Sequence, residues 1–254
     1  MPDNERFQMP DRPFVLAVET SSRIGSVAIG TKHKLIDERT FSAPLKHSEE
    51  LFPTVQDLLD QVHANPEDID QVYVPIGPGS FTGLRIAASL AKAMHLATGV
   101  RIVTVDTLDA IATNALHSPL TCPAVIATVL DAKRNQFFMA GYSFIAPASS
   151  SAGAVSMNAW TKLMDDCIMT ARDFMDEFVP SHAPVGILGD GLLFHQDKFA
   201  HAGLSILPKS LWTPKASGVY RLGREKARKE QFADPLELKP RYLRAPLVTL
   251  KRHP

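Results

Sequence analysis

Apolar positions follow two rhythms along this chain. Short apolar or alternating runs at Phe14–Val18, Ser26–Ile29, Lys34–Thr40, Val72–Ile76, Ile102–Val105, Ala124–Leu130, Gln136–Tyr142 and Gly186–Gly189 predict strands. Between them apolar residues recur at helical spacing. Leu51, Val55, Leu58, Leu59 and Val62 share one face of a predicted helix that Ser48 caps, with Glu49 and Glu50 in the first turn, where the helix dipole favours acids. Pro53 lies just inside it and removes a backbone donor; Asn65-Pro66 ends it. Gly77-Pro78-Gly79-Ser80 turns sharply into a long helix to about Thr98, stopped by Gly99. Ile86, Leu90, Met94 and Ala97 form its stripe, while Ala87, Ala88 and Ala91 permit close approach of another helix. Leu108–Leu116 predicts a short helix, and Ser217 caps a last one reaching about Phe232. The order β-β-β-α-β-α, repeated imperfectly, predicts an α/β protein of two related halves.

Composition narrows this picture. The 254 residues suffice for a proper core, and 45 % apolar with 21 % charged residues is ordinary for a soluble globular protein. No apolar stretch approaches the roughly 18 residues needed to cross a bilayer. The start, MPDNERFQMPDRP, lacks the basic-then-apolar layout of a secretory signal, so a cytoplasmic protein with no membrane contact is expected. Residues 1–13 read as a flexible leader and residues 146–156, rich in Ala and Ser, as a loop. Net charge is zero but uneven: from Lys215 onward 11 Lys and Arg face 4 Asp and Glu. Such a basic tail attracts phosphate, or forms the solvated face of a helix. Cys122 and Cys167 read as ordinary thiols.

The chemistry-bearing motifs are few. In Gly77–Arg85, GPGSFTGLR, the glycines allow close backbone approach, and Ser80 and Thr82 can cap a helix whose free amides suit a phosphate. The run is neither a Walker loop nor GxGxxG, so an ordinary strand-to-helix turn competes with that reading. Glu19-Thr20-Ser21-Ser22 offers hydroxyls and amides at a bend, as phosphate-binding hairpins and ordinary turns both do. Asp131 and the Asp190 of Gly189-Asp190-Gly191 are each a turn-former or a base or metal ligand; His47 is an acid–base candidate or a surface histidine beside a helix start. The nine histidines show no HExxH or HxxxH spacing, and no nucleophile stands beside a base. From the residues alone, no catalytic set is legible.

Taken in order, these segments resemble a known family. Leu16–Ser22 with Ser26-Val27-Ala28, then His47-Ser48-Glu49, then GPGSFTGLR, then Val129–Arg134, and finally Pro240-Arg241-Tyr242-Leu243-Arg244 are similar to the TsaB (YeaZ) pattern over about residues 14–245. The resemblance implies the actin-like/sugar-kinase-like (ribonuclease H-like) fold of two related halves, here 14–118 and 119–254, with the last helix packing back on the first half. It implies a non-catalytic scaffold in the synthesis of threonylcarbamoyladenosine in tRNA, pairing with a TsaD-type transferase and a TsaE-type ATPase, and touching tRNA only within that complex. TsaD carries an HxxxH metal motif; the matching positions here are Thr107 and Ile111. No catalytic, cofactor or metal residue is therefore assigned. The implied partner surface lies on the helices after HSE and GPGSFTG, about Ser48–His63 and Phe81–Thr98, with Ser48, Leu51, Val55, Gly79, Phe81, Thr82, Arg85, Ala88 and Lys92 as its residues. Leu51 and Val55 are equally readable as core. Exposed apolar helices also self-pair, giving a homodimer when the chain is alone. The fold's first phosphate loop usually opens on Asp, whereas Glu19 stands here, which weighs against nucleotide binding. A nucleotide-binding phosphotransferase of the sugar-kinase type is the competing expectation, from fold analogy.

Overall fold

A computed structural model describes residues 13–118, 122–144 and 160–243. Residues 1–12 of the expected leader, the 146–156 stretch and the tail from Arg244 lie outside the described residues.

The chain forms two five-stranded sheets with one topology. In the first, β1 (Phe14–Glu19), β2 (Ser26–Thr31) and β3 (Leu35–Thr40) run as an antiparallel meander, and β4 (Ile69–Gly77) and β5 (Arg101–Asp106) add in parallel beside β1, giving the order β3-β2-β1-β4-β5. In the second, β6 (Val125–Asp131), β7 (Phe137–Phe144) and β8 (Trp160–Met169) form the meander, and β9 (Val185–Leu188) and β10 (Leu204–Ile206) add in parallel beside β6. Two copies of one strand order define the two-lobed actin-like, ribonuclease H-like fold. The sequence pattern misses β8, β10 and the helices α4 (Ala171–Glu177) and α5 (Val179–His182). β8 alternates half-buried with exposed residues and carries Lys162, Asp165 and Asp166, so no apolar run marks it.

The centre of the first sheet is covered on both faces, and β1 and β2 are accordingly buried at every position. Phe14, Leu16 and Val18 of β1 point toward α1 (His47–Gln61) and α2 (Phe81–Thr98), whereas Val15 and Ala17 point toward α6 (Ala216–Arg228), the period-two split of a strand. α3 (Thr107–Leu116) lies between the sheets: Ala110 packs with the first, and Leu108, Ile111, Ala112 and Ala115 pack with the core of the second.

Helix ends correct several expectations. Ser80 caps α2, accepting from the Gly83 amide at 3.3 Å, and Gly99 closes it with φ 75°. Ser48 does not cap α1: the helix already begins at His47, behind Lys46, and Ser48 is exposed. Ser217 likewise lies inside α6, which follows Lys215 and ends at Arg228. The stripe of α2 is shifted. Leu84, Ala87, Leu90 and Ala91 are buried against the sheet, Ile86 and Met94 are half-buried, and Ala97 is exposed. The alanines counted as free for a second helix are therefore mostly used on the chain's own sheet. Among the described residues no helix is long and apolar enough to cross a membrane.

Candidate functional site

Repeating one topology brings equivalent loops together. The turns after β1 and β4 meet those after β6 and β9 around a cleft of about 550 Å³, bordered by Ser22, Arg23, Ser80, Asp131, Asp190 and Phe194. This is the crevice at the carboxyl ends of parallel strands where α/β folds place ligands. Arg241, Tyr242 and Leu243 also line it.

The two segments read as phosphate loops border the cleft and are also hydrogen-bonded to each other. The Ser80 amide donates to the Ser21 carbonyl at 2.7 Å, and the Thr20 hydroxyl donates to the Gly83 carbonyl at 2.8 Å. A Cβ on Gly83 would collide with the Thr20 carbonyl oxygen, so glycine there serves close approach of α2 to this turn. Glu19 is fully buried and folds back on its own loop, its Oε1 accepting from the Ser21 amide and hydroxyl, each at 2.5 Å. Burial, helped by the Asp190 carboxylate, raises its pKa to about 7 against those two bonds. His47 is no surface histidine. It is buried, its Nε2 donates to the Ser22 carbonyl at 2.9 Å, and burial lowers its pKa against that bond. Glu19 and His47 thus hold the turn from within.

The carboxylates at the cleft are also committed. Burial opposes ionisation of Asp131, but the Lys133 amide at 2.7 Å and ammonium at 2.6 Å prevail and hold it below its usual range. Asp190 is pushed up by burial, against hydrogen bonds that include one from the Thr213 hydroxyl at 3.2 Å. Asp131 thus forms its own turn, whereas Asp190 is tied to residues remote in the chain.

Below the cleft a charge network joins the lobes. Asp109 of α3 accepts from the Tyr142 hydroxyl and from Lys162 of β8, both at 2.8 Å, and Lys162 also reaches Asp166 at 2.5 Å. Arg241 bridges Asp166 in the second lobe and Asp106 in the first, the latter as an ion pair at 2.8 Å without hydrogen-bond geometry. Its amide donates to the Ile76 carbonyl at 2.7 Å, so the closing segment is strapped to the end of β4. Sequence reasoning assigned no role to Arg241 beyond the motif, nor to Asp106, Lys162 and Asp166; only the closing motif signalled one of them.

The expected docking residues fall into two groups. Ser48, Phe81, Thr82 and Arg85 are exposed, and Gly79, Val55, Ala88 and Lys92 are half-buried. Leu51 is 1 % exposed and belongs to the core, so its side chain offers no surface; Val55 packs against the same core at its edge. Phe52, passed over because it lies off the apolar stripe, is 63 % exposed on α1. Phe81 stacks on Tyr242 at 5.1 Å, and the Arg85 guanidinium lies 4.0 Å from the Phe81 ring centroid. Thr107 and Ile111 are fully buried in α3, and among the described residues no cluster of His, Cys, Asp and Glu suits a metal ion.

Comparisons with known proteins agree with this architecture. The family described as TsaD: tRNA N6-adenosine threonylcarbamoyltransferase matches residues 42–171, half of the chain. The chain is 26 % identical over 234 residues to the tRNA threonylcarbamoyladenosine biosynthesis protein TsaB of Bacillus subtilis, covering 91 % of this chain and 93 % of that protein. It is 28 % identical over 128 residues to the TsaB protein of Escherichia coli, covering 50 % of this chain and 54 % of that one. In structure it resembles YeaZ from Pseudomonas aeruginosa, with a TM-score of 0.75 at 20 % identity, over 91 % of this chain and 99 % of that chain.

Proposed function

Since this chain belongs to the TsaD family, tRNA N6-adenosine threonylcarbamoyltransferase, on its TsaB (YeaZ) branch, we propose that it serves threonylcarbamoyladenosine synthesis as a non-catalytic partner subunit. It pairs through the outer face of α1 and α2 with a TsaD-type transferase, an ATPase of TsaE type joins them, and tRNA is met only within that assembly. The observation that carries this reading is the state of Thr107 and Ile111. Both stand where the transferase pattern has histidines, and both are buried in α3, Ile111 in the core of the second lobe. The Thr107 hydroxyl is a poor ligand for a transition metal and Ile111 offers no ligand atom, and rebuilding a site would empty part of that core. The exposed Phe52 of α1 and the exposed Phe81 and Arg85 of α2 support a docking face, since aromatic and arginine side chains carry most interface energy.

The phosphotransferase alternative finds less support. The Ser80 amide ahead of α2 is taken by the Ser21 carbonyl and the Gly83 amide by the Ser80 hydroxyl, and two carboxylates border the cleft where a polyphosphate would lie.

Reconstitution by omission tests the proposal. Transferase, ATPase and a source of threonylcarbamoyl-AMP are mixed with tRNA, with and without this chain. The modified nucleoside is expected only in the full mixture, and none from this chain alone. Undiminished synthesis in its absence refutes the partner role. Tight ATP–magnesium binding to the isolated chain by calorimetry would favour the alternative instead.

A further inference from the structure

We propose that the mouth of the interlobe cleft is a second docking pocket, fitted to a protein segment that carries a large apolar side chain beside a carboxylate. This rests on the reading that the chain works by pairing, and it extends the α2 face around Phe81 onto the second lobe.

Four large side chains are exposed at this one opening. Leu45 is 67 %, Phe194 72 %, Phe81 44 % and Tyr242 40 % exposed, and all line the same cleft although they come from separate segments. Clustered apolar exposure of this kind marks contact surfaces. Leu45 adds a backbone argument. It sits at φ 65°, a conformation disfavoured for a branched side chain, held by its amide donating to the Arg23 carbonyl at 2.8 Å. Placing a leucine in left-handed backbone to expose it gains nothing within the monomer.

Charge defines the occupant. Arg23 lies 5.8 Å from the Phe194 ring centroid, and Arg85 lies 4.0 Å from that of Phe81. Among the described residues neither guanidinium forms a close ion pair, although the Arg23 charge acts on Asp190, whereas Lys133 is taken by Asp131 and Arg241 by Asp106 and Asp166. The opening thus has a largely apolar lining, with Arg23 over Phe194 at its rim and Arg85 over Phe81 just outside the lining residues. An apolar side chain fills the opening, and a carboxylate meets the fork of an arginine at the rim. Nucleic acid fits less well: its successive phosphates would pass Asp131 and Asp190, whereas a single carboxylate can stay at the arginine-bearing rim.

The test places the photo-crosslinker p-benzoylphenylalanine at position 194 or, separately, at position 52 of the full chain, in mixture with the transferase subunit and tRNA. Both sites are expected to give heterodimer adducts. The position-194 adduct should map to a segment with an Asp or Glu within two residues of a large apolar residue. Arg23→Glu should lower that adduct at least tenfold and leave the position-52 adduct unchanged. An adduct from position 52 alone, one insensitive to Arg23→Glu, or a position-194 adduct to tRNA or to a second copy of this chain, overturns the pocket while sparing the α1–α2 face. No adduct from either position overturns the pairing reading as well.

Discussion

The Tyr242 ring stacks on Phe81 at 5.1 Å with 28° between the planes, joining residues from two motifs some 160 positions apart along the chain. Phe81 opens α2, and Tyr242 belongs to the closing segment strapped to the end of β4. Arg85 covers the same Phe81 ring, so the three make one column at the start of the proposed docking helix. Tyr242→Ala should cost about 1 kcal/mol in urea unfolding, the worth of one partly exposed aromatic pair. It should also weaken transferase pairing several-fold, because Phe81 loses the ring that fixes it. Unchanged affinity in a titration would detach the closing segment from the docking face.

Arg241 carries the inter-lobe connection. Its guanidinium pairs with Asp106 of the first lobe and with the nearly buried Asp166 of the second. Arg241→Ala leaves Asp166 with Lys162 and strips Asp106 of its cation. Because Arg241 itself is 42 % exposed, solvent screens part of the loss, and about 1–2 kcal/mol is expected. Arg241→Lys should recover part of it, since an ammonium keeps the charge but reaches two carboxylates less well. Urea midpoints of the two variants decide this; equal stability of the alanine variant and the parent would remove the network from any role in joining the lobes.

Much of this architecture is legible in sequence because strands buried on both faces are nearly all apolar. Phe14–Val18 and Ala124–Leu130 announce themselves, and the repeated element order gives the two lobes. β8 stays hidden because it carries the lobe-joining charges, Lys162 and Asp166, which read as surface. The helix face of α1 is legible, but its direction is not: spacing places Leu51 and Val55 on one stripe, and only packing shows that this stripe faces inward while Phe52 faces out. The glycines of GPGSFTGLR are the sharpest instance. Spacing shows that backbone comes close to something there; whether that is a phosphate or the Thr20–Ser21 turn depends on residues some sixty positions away.

Gly83 tests that contact directly. Any Cβ at this position meets the Thr20 carbonyl, a backbone atom with no rotamer through which to yield. Gly83→Ala should therefore lower stability by about 3 kcal/mol, the upper range for forced overpacking, although alanine is the better helix former. Gly99→Ala serves as the contrast. Nothing lies near its Cβ, so only its left-handed φ of 75° is penalised, at about 1 kcal/mol. Thermal melts of both variants give the ordering; a Gly83→Ala protein as stable as the parent would mean that the 19–22 turn can retreat from α2, and that the space between them is open to a ligand after all.

Glu19 gives the turn a pH signature. Its pKa of about 7 in the folded protein lies above the ordinary 4.5, so the folded state holds the proton more tightly than the unfolded one. The resulting stabilisation is complete below pH 4.5 and is lost as pH rises through 7, a change on the order of 3 kcal/mol for a shift of this size. His47 acts in the opposite direction. Its lowered pKa stabilises the fold above the ordinary 6.5, and that contribution fades as pH falls toward its folded value. The parent alone therefore shows a shallow profile, and the contrast with Glu19→Gln isolates the carboxyl. Glutamine keeps an acceptor for the Ser21 amide and hydroxyl but never ionises. Relative to the parent, this variant should gain stability between pH 5 and pH 8, measured as the difference in urea unfolding free energy at each pH. A constant difference across that range would mean that Glu19 is ionised throughout, with a cation or a donor reaching its Oε2, and the turn after β1 would then regain the character of an ion-binding loop.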